Sequence, residues 1–270
     1  RKGKARSTDD KTLAALIKKV PKSAGIIKAI LDARSYAKAL NPGGDLAVRV
    51  DPDGRVRCSY NLAGTEIGRF SASETAWGSG KNHQNVTRGE LRRMYRATPG
   101  KTLLSVDYSQ AELWVVAHLT GDSTLLSLLG NGGDVHVKTA ALLFNKPEST
   151  ITPDERNKGK TANFAFCYGI TTRRAARQYN MDEKEAERLR NSYFATFVDI
   201  GAWHRWAFAE LRRNPLLATP FGFKRRFWGR SDDHNTIKSH LGFVCEATVA
   251  QLCNDSVRML VEQAFDWLPI

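Results

Sequence analysis

The stretch VDYSQAELWVVAHLTGD, residues 106–122, constrains this chain more than any other. KTLLSVDYS (101–109) alternates as a buried strand does up to Asp107, and QAELWVVAHLT (110–120) continues as a helix. Between the two, Tyr108, Ser109, Gln110 and Glu112 interrupt a long apolar run. A buried carboxylate costs free energy unless something pairs with it. Asp107 and Glu112 therefore either meet cations of the same chain or hold a metal ion.

The surrounding elements follow from capping and periodicity. Residues 9–40 predict two helices separated at Pro21. LAVRVDPDGRVRCSYNL (46–62) predicts two strands joined by a Pro-Asp-Gly turn, and 63–90 a long polar loop of the kind that carries function. Helices are expected over 134–144, 152–170, 182–197 and 200–214, a hairpin over 219–229 and a long or broken helix over 235–265. One small sheet with an inserted helical lobe is an α+β pattern. The chain shows no internal repeat, no run able to span a bilayer and no signal peptide.

At 270 residues, 41% hydrophobic and 26% charged, the chain can bury a sizeable core. Its formal charge of +13 is concentrated: residues 1–34 hold ten basic and three acidic side chains, residues 151–230 sixteen and eight. Two basic regions point to a polyanionic partner, with a merely soluble basic protein as the alternative. Cys58, Cys167, Cys245 and Cys253 form no CxxC pair and no zinc spacing, as expected of reduced thiols in a cytosolic protein.

Each candidate site has a structural alternative. Asp107, at a strand end, could bind Mg²⁺, which takes one or two carboxylates and completes its shell with water and phosphate oxygens. It could equally cap the following helix. Arg156, Lys160, Phe164 and Tyr168 recur every four residues, so on a helix they form a stripe drifting about 40° per step. Cations followed by aromatics suit a nucleoside triphosphate; the alternative is an amphipathic helix with a solvated first turn. Cations near a helix N-terminus oppose its dipole, so Arg156, Lys158 and Lys160 need a reason to be there. Thr65, Arg69, Gln84 and Asn85 could donate to minor-groove acceptors or simply line a surface loop. His136 could bond a phosphate or be a helix-start residue beside a capping Asp134, and His118 reads as structural.

Together these stretches resemble the A-family DNA polymerases, the DNA polymerase I type. VDYSQAELWVVAHLTGD resembles the family's first catalytic motif, RNKGKTANFAFCYG (156–169) its fingers helix, and GTEIGRFSAS (64–73) with NHQN (82–85) its primer–template loop. GDVHVKTAA and TPFGFKRRF match in order and spacing, and the resemblance runs from about Arg1 to Val261. It implies an α+β right-hand architecture. Residues 1–60 would be thumb base and first palm strands, and 61–130 palm with the primer–template loop. Residues 131–235 would be fingers, and 236–270 a palm helix truncated before the second catalytic motif.

The resemblance further implies template-directed addition of dNTP to a primer 3′ end with two Mg²⁺ ions, in a bacterial or phage-infected cytoplasm. Asp107 and the Tyr108 carbonyl would hold metal. Gln110, Glu112, His136, Arg156, Lys160 and Phe164 would bind the dNTP. Glu112 would exclude a ribose 2′-hydroxyl, Lys160 would give a proton to pyrophosphate, and Phe164 would disfavour dideoxynucleotides. Thr65, Arg69, Gln84, Asn85 and Tyr168 would contact primer and template. Several residues depart from the family pattern: Trp114, Asn157, Lys238 and Glu246, the last where Gln is usual. The second catalytic Asp has no clear counterpart. Asp266 lacks the preceding His, so a longer chain or a partner subunit would supply the second Asp. The alternatives are a non-catalytic DNA-binding subunit and a fragment of a split polymerase; Glu112 argues against an RNA polymerase.

Overall fold

Asp9 opens the first helix by accepting a bond from the Thr12 amide at 2.7 Å, and the chain then runs as α1 (Asp10–Lys19). The computed structural model describes residues 8–40, 49–86, 90–179 and 181–263. Pro21 starts a short 3₁₀ turn, and α2 (Ala24–Leu40) follows, packed on α1 with Leu13 and Ile27 buried. The two helices appear as the sequence predicts.

The chain divides into two compact units, residues 1–62 with 70–105, and residues 63–69 with 106–269. In the first unit the strand pairing differs from expectation. Residues 41–48, which include most of the first expected strand, lie outside the described residues, and Arg49 bridges to Gly80. β1 (Ser59–Asn61) instead pairs antiparallel with β2 (Ser71–Ser73), inside the stretch expected to be loop. The Pro-Asp-Gly turn does form, closed by the Asp51 and Gly54 amides and clamped by Arg57 on Asp51 and Asp53. A 3₁₀ turn at His83–Asn85 and another at Glu90–Met94 follow.

The second unit is helical: α3 (Ala111–Thr120), α4 (Ser123–Gly130), α5 (Val135–Phe144), α6 (Pro153–Ala165), α7 (Thr172–Tyr179), α8 (Glu183–Thr196) and α9 (Val198–Arg213). The hairpin β3 (Leu216–Ala218) and β4 (Lys224–Arg226) leads into α10 (His234–Glu262). The sequence reading missed α4 and α7. α4 is only eight residues long, and α7 reads TRRAARQY, almost without large apolar groups. One core gathers Val116, Leu125, Phe166, Tyr193, Phe197 and Ile200; a second seats Leu217, Phe223 and Phe227 of the hairpin on Phe243 of α10.

The expected strand at 101–107 is absent. Residues 101–108 have no regular secondary structure and are exposed, with Leu104 at 78% and Val106 at 82%. A strand persists only where another satisfies its amides and carbonyls. Among the described residues the only ladders are the two hairpins, and neither includes this stretch. Asp107 is accordingly exposed, not buried.

Candidate polymerase site

Gln110, the residue before α3, has a left-handed backbone (φ 54°), and its side chain makes no cap. The capping role open to Asp107 is therefore not taken. Asp107 has no hydrogen bond or ion pair among the described residues. Its neighbour Tyr108 is anchored: the phenol donates to Ser256 Oγ at 2.6 Å, and Ser256 in turn donates to the Leu252 carbonyl of α10.

One turn on, Glu112 faces two partners. Arg69 Nη2 lies 2.8 Å from Oε1, and the Tyr168 hydroxyl donates to Oε2 at 3.3 Å. So Glu112 is paired with a cation of the chain, one of the two possibilities its burial raised. Arg69 sits on a short segment held from several sides. Thr65 Oγ1 donates to the Arg69 carbonyl, Asn254 of α10 donates to the Gly68 carbonyl, and Arg225 of β4 pairs with Glu66. Burial and then the neighbouring Glu112 push the Glu246 carboxyl above its usual range, against Arg69, Lys238 and Arg225. Seven residues further, about 10 Å along α10, Cys253 lies in the fields of both Arg69 and Asp107. One face of α10 thus follows the site from Glu112 to Asp107.

The stripe of cations and aromatics is shorter than expected. α6 ends at Ala165, so Arg156, Lys160 and Phe164 share the helix, while Tyr168 lies in the turn beyond it. That turn is closed by Gly169 N–H to the Phe166 carbonyl and Ile170 N–H to the Ala165 carbonyl. Gly169 has φ +70°, and a Cβ there would sit 2.7 Å from Leu241, so the turn that aims Tyr168 at Glu112 needs glycine. Burial, reinforced by Cys167, Cys245 and Glu112, drives the Tyr168 phenol far above its usual pKa, so it stays a donor.

The cationic start of α6 has structural partners. Thr152 and Glu155 form a capping box. Arg156 Nε contacts Asp134 Oδ2 at 2.6 Å, and Lys158 pairs with Asp154 and Glu185. Arg156 and Lys158 therefore need no polyphosphate to explain them. Lys160 is different: it is exposed and has no ion pair among the described residues.

His136 opens α5 under the Asp134 cap, as the sequence predicts. Burial would raise the Asp134 carboxyl, but Arg156 and the His136 and Val137 amides outweigh it and hold it below the ordinary range. His136 is 4% exposed and packs on Phe164 with ring centroids 5.6 Å apart. Burial, helped by Arg156 and Lys160 and opposed by Asp134, lowers its pKa, leaving a neutral ring. Asn163 Nδ2 donates to His136 Nδ1 at 3.2 Å and to Thr139 Oγ1 at 3.0 Å, which puts the ring proton on Nε2. Asn163 escaped the sequence reading. Its signal was available: a polar residue inside ANFAF is out of pattern for a buried helix, and buried amides are there to bond something. Ser256, Asn254 and the Glu66–Arg225 pair carried no such signal, since their partners lie far away in sequence.

Gln84 and Asn85 are exposed on the first unit, where Gln84 donates to the Phe70 carbonyl at 2.9 Å. Thr65, Arg69, Tyr108, Gln110, Glu112, His136, Arg156, Lys160, Phe164 and Tyr168 all belong to the second. Asp266 lies outside the described residues. Among the described residues no three His, Cys, Asp or Glu side chains converge on a common point. Asp107 with the Tyr108 carbonyl suits one largely hydrated Mg²⁺; a pair of ions requires a further ligand. Among these residues, too, no helix is long and apolar enough to cross a membrane.

The sequence model of DNA polymerase family A matches residues 1–242. The chain belongs to this family. It is 32% identical over 231 residues to the thermostable DNA polymerase I of Thermus caldophilus, covering 83% of the chain and 27% of that protein. It is 33% identical over 238 residues to DNA polymerase I of Treponema pallidum, covering 86% of the chain and 23% of the relative. The family A chain thus spans about a quarter of the length of these curated relatives. Its fold matches the polymerase domain of Pol1 from M. smegmatis, solved with a DNA primer-template and dNTP. The TM-score is 0.81 at 21% identity, over 98% of the chain and 48% of that structure. The helix-rich architecture with few strands is therefore the α+β polymerase fold. The family match stops within α10, before Glu246, Cys253 and Ser256.

Proposed function

We propose that this family A chain is the palm and fingers portion of a DNA polymerase that adds dNTPs to a primer 3′ end on a DNA template. The observation that carries the reading is the fixing of Glu112 between Arg69 and Tyr168 at the start of α3. A carboxylate held from two sides is a rigid wall, as a sugar-selecting gate requires. The proposed division is thumb base and first palm strands at 1–60, palm at 61–130, fingers at 131–235 and palm helix from 236.

In this reading Lys160, which has no ion pair among the described residues, grips the triphosphate and passes a proton to the departing pyrophosphate. His136 offers its Nε2–H to a phosphate oxygen, held in that tautomer by Asn163. Arg156 joins by exchanging Asp134 for phosphate, and Gln110 contacts the nucleotide beside Glu112. Phe164, braced by His136, packs on the deoxyribose. Arg69 keeps Glu112 on Nη2 and offers its remaining N–H groups to the primer–template minor groove. Thr65, Gln84 and Asn85 also contact primer and template, and Tyr168 stacks near the templating base. Asp107 and the Tyr108 carbonyl would hold Mg²⁺, which neutralises developing phosphoryl charge and activates the primer hydroxyl when bound. A second ion would take its carboxylate from beyond the described residues or from a partner chain.

Primer extension by the protein and its Asp107→Ala variant tests this. Loss of extension with primer–template affinity held within about twofold supports the catalytic role. Equal extension by both overturns it. A protein that binds primer–template and never extends it, with or without Asp107, either lacks the second carboxylate or is the non-catalytic DNA-binding subunit. Extension restored by a longer chain or partner that brings the carboxylate separates the two.

A further inference from the structure

The hairpin after α9 has two unlike faces. Along 223–228 the side chains alternate strictly: Phe223, Arg225 and Phe227 turn inward, while Lys224, Arg226 and Trp228 turn out and are exposed. The inner face is accounted for. Phe223 and Phe227 pack on Phe243 with centroids 6.0 and 5.8 Å apart, and Arg225 lies over the Phe227 ring at 4.6 Å while pairing with Glu66.

The outer face contributes to none of that packing. Trp228 is 87% exposed, and the guanidinium of Arg226 sits 5.5 Å from its ring centroid. Neither Lys224 nor Arg226 has an ion pair among the described residues, whereas the nearby Arg213 and Arg230 are matched by Glu210 and Asp232. Phe221, at the turn of the same hairpin, is also exposed. Single exposed apolar groups are ordinary on protein surfaces. An indole stacked by a cation in a row of unneutralised cations is a more specific arrangement. Alternate residues of a strand stand about 6.8 Å apart, so the face presents charge, charge and ring at regular steps.

We propose that Lys224, Arg226 and Trp228 form a contact surface for an unpaired DNA strand, separate from the residues placed around Glu112 and Lys160. Lys224 and Arg226 meet successive phosphates, and the indole stacks on a base. The chemistry follows from the residues: phosphates need unpaired cations, and only an unpaired strand offers a base face to an exposed ring. A duplex buries its base faces and would use the charges alone. The choice of DNA over other nucleic acids rests on the polymerase reading; the surface itself does not.

The test is fluorescence anisotropy with a labelled 16-nucleotide single strand and a blunt duplex of the same sequence, at several salt concentrations. Trp228→Ala lowers single-strand affinity at least about fivefold and leaves duplex affinity within about twofold. Trp228→Phe keeps most of the binding. Lys224→Gln with Arg226→Gln flattens the slope of log affinity against log salt by about 1.4, some 0.7 for each lost phosphate contact on a single strand. These side chains are exposed, so the variants fold, and an unchanged melting temperature verifies it. Unchanged single-strand affinity in Trp228→Ala overturns the proposal, as does an equal loss on duplex. Displacement of the single strand by polyglutamate at equal charge overturns it in favour of an acidic protein partner. The Asp107→Ala variant binds the single strand normally if this surface is as proposed, so failure of the polymerase reading and failure of this one give different results.

Discussion

Arg69 and Glu112 stand 43 residues apart in the chain and meet at 2.8 Å, in an ion pair that the Tyr168 hydroxyl completes from the other side. The pair is half exposed on the arginine side, so its value lies in placement more than in stability. Two substitutions separate charge from bulk. Glu112→Gln keeps the wall and loses the ion pair; it retains discrimination against ribonucleotides. Glu112→Ala removes the wall, and the preference for dNTP over rNTP falls by roughly 10- to 200-fold. Competing single-nucleotide insertions measure both, and a Glu112→Ala protein with unaltered sugar preference would remove Glu112 from the gate.

Gly159 lets α5 and α6 approach closely enough to seat His136 beside Phe164. A Cβ at 159 would lie 2.4 Å from the His136 carbonyl and 3.0 Å from Ala140. Alanine in a helix normally gains up to about 1 kcal/mol over glycine. Here the obstacle is backbone, which cannot swing aside, so overpacking of about 1–3 kcal/mol prevails. Gly159→Ala therefore lowers the melting temperature by several degrees and weakens dNTP binding, because the helix pair that carries His136 and Lys160 is forced apart. An unchanged melting temperature would show that the two helices slide without cost.

Helices were legible where an apolar stripe of several turns, often with a polar cap, marks them. Asp9, Asp134 and Thr152 all cap where their positions suggest. Strand pairing was less legible, since a strand is defined by a partner it cannot name. Ser59–Asn61 finds Ser71–Ser73 rather than the stretch across its own turn, and 101–107 finds no ladder. The site divides in the same way. Glu112, Lys160 and His136 stand out by local chemistry, while Asn254 and Ser256 act through partners that only the fold supplies. The stripe through Tyr168 failed for another reason: Gly169 ends the helix in a turn, and a count by fours does not sense where a helix stops.

Glu246 illustrates a cost that a substitution can relieve. Burial and Glu112 raise its carboxyl pKa in the folded chain above the unfolded value of 4.5. The folded state then holds its proton to higher pH than the unfolded state. Stability from this group is present below pH 4.5 and is lost as pH rises through the window between the two values. Glu246→Gln removes the charge and keeps the shape. It raises the melting temperature at pH 7.5 and leaves it nearly unchanged at pH 4. It also strengthens primer–template binding, since a carboxylate beside Arg69 no longer repels phosphate. Thermal melts at the two pH values and a duplex titration check both effects. Equal stabilisation at pH 4 and 7.5 would show that the gain comes from packing and not from charge.

His240 gives a pH dependence of the opposite sign. It is buried in α10 against Phe227, at 5.1 Å between ring centroids, and its Nε2 has no hydrogen-bond partner among the described residues. Burial, only partly countered by Glu210, lowers its pKa to about 4. The unfolded chain takes up the proton near pH 6.5, whereas the folded chain refuses it until about pH 4. Below 6.5 the unfolded state therefore binds more protons, and stability falls as the pH is lowered through this window. His136 and His204 are depressed by burial in the same direction and add to the fall. His240→Phe keeps a ring against Phe227 and cannot take a proton. Its melting temperature relative to the parent is higher at pH 5 than at pH 7.5, whatever constant offset the larger ring brings. A difference that is the same at both pH values would mean that His240 takes up its proton in the folded chain as readily as in the unfolded one.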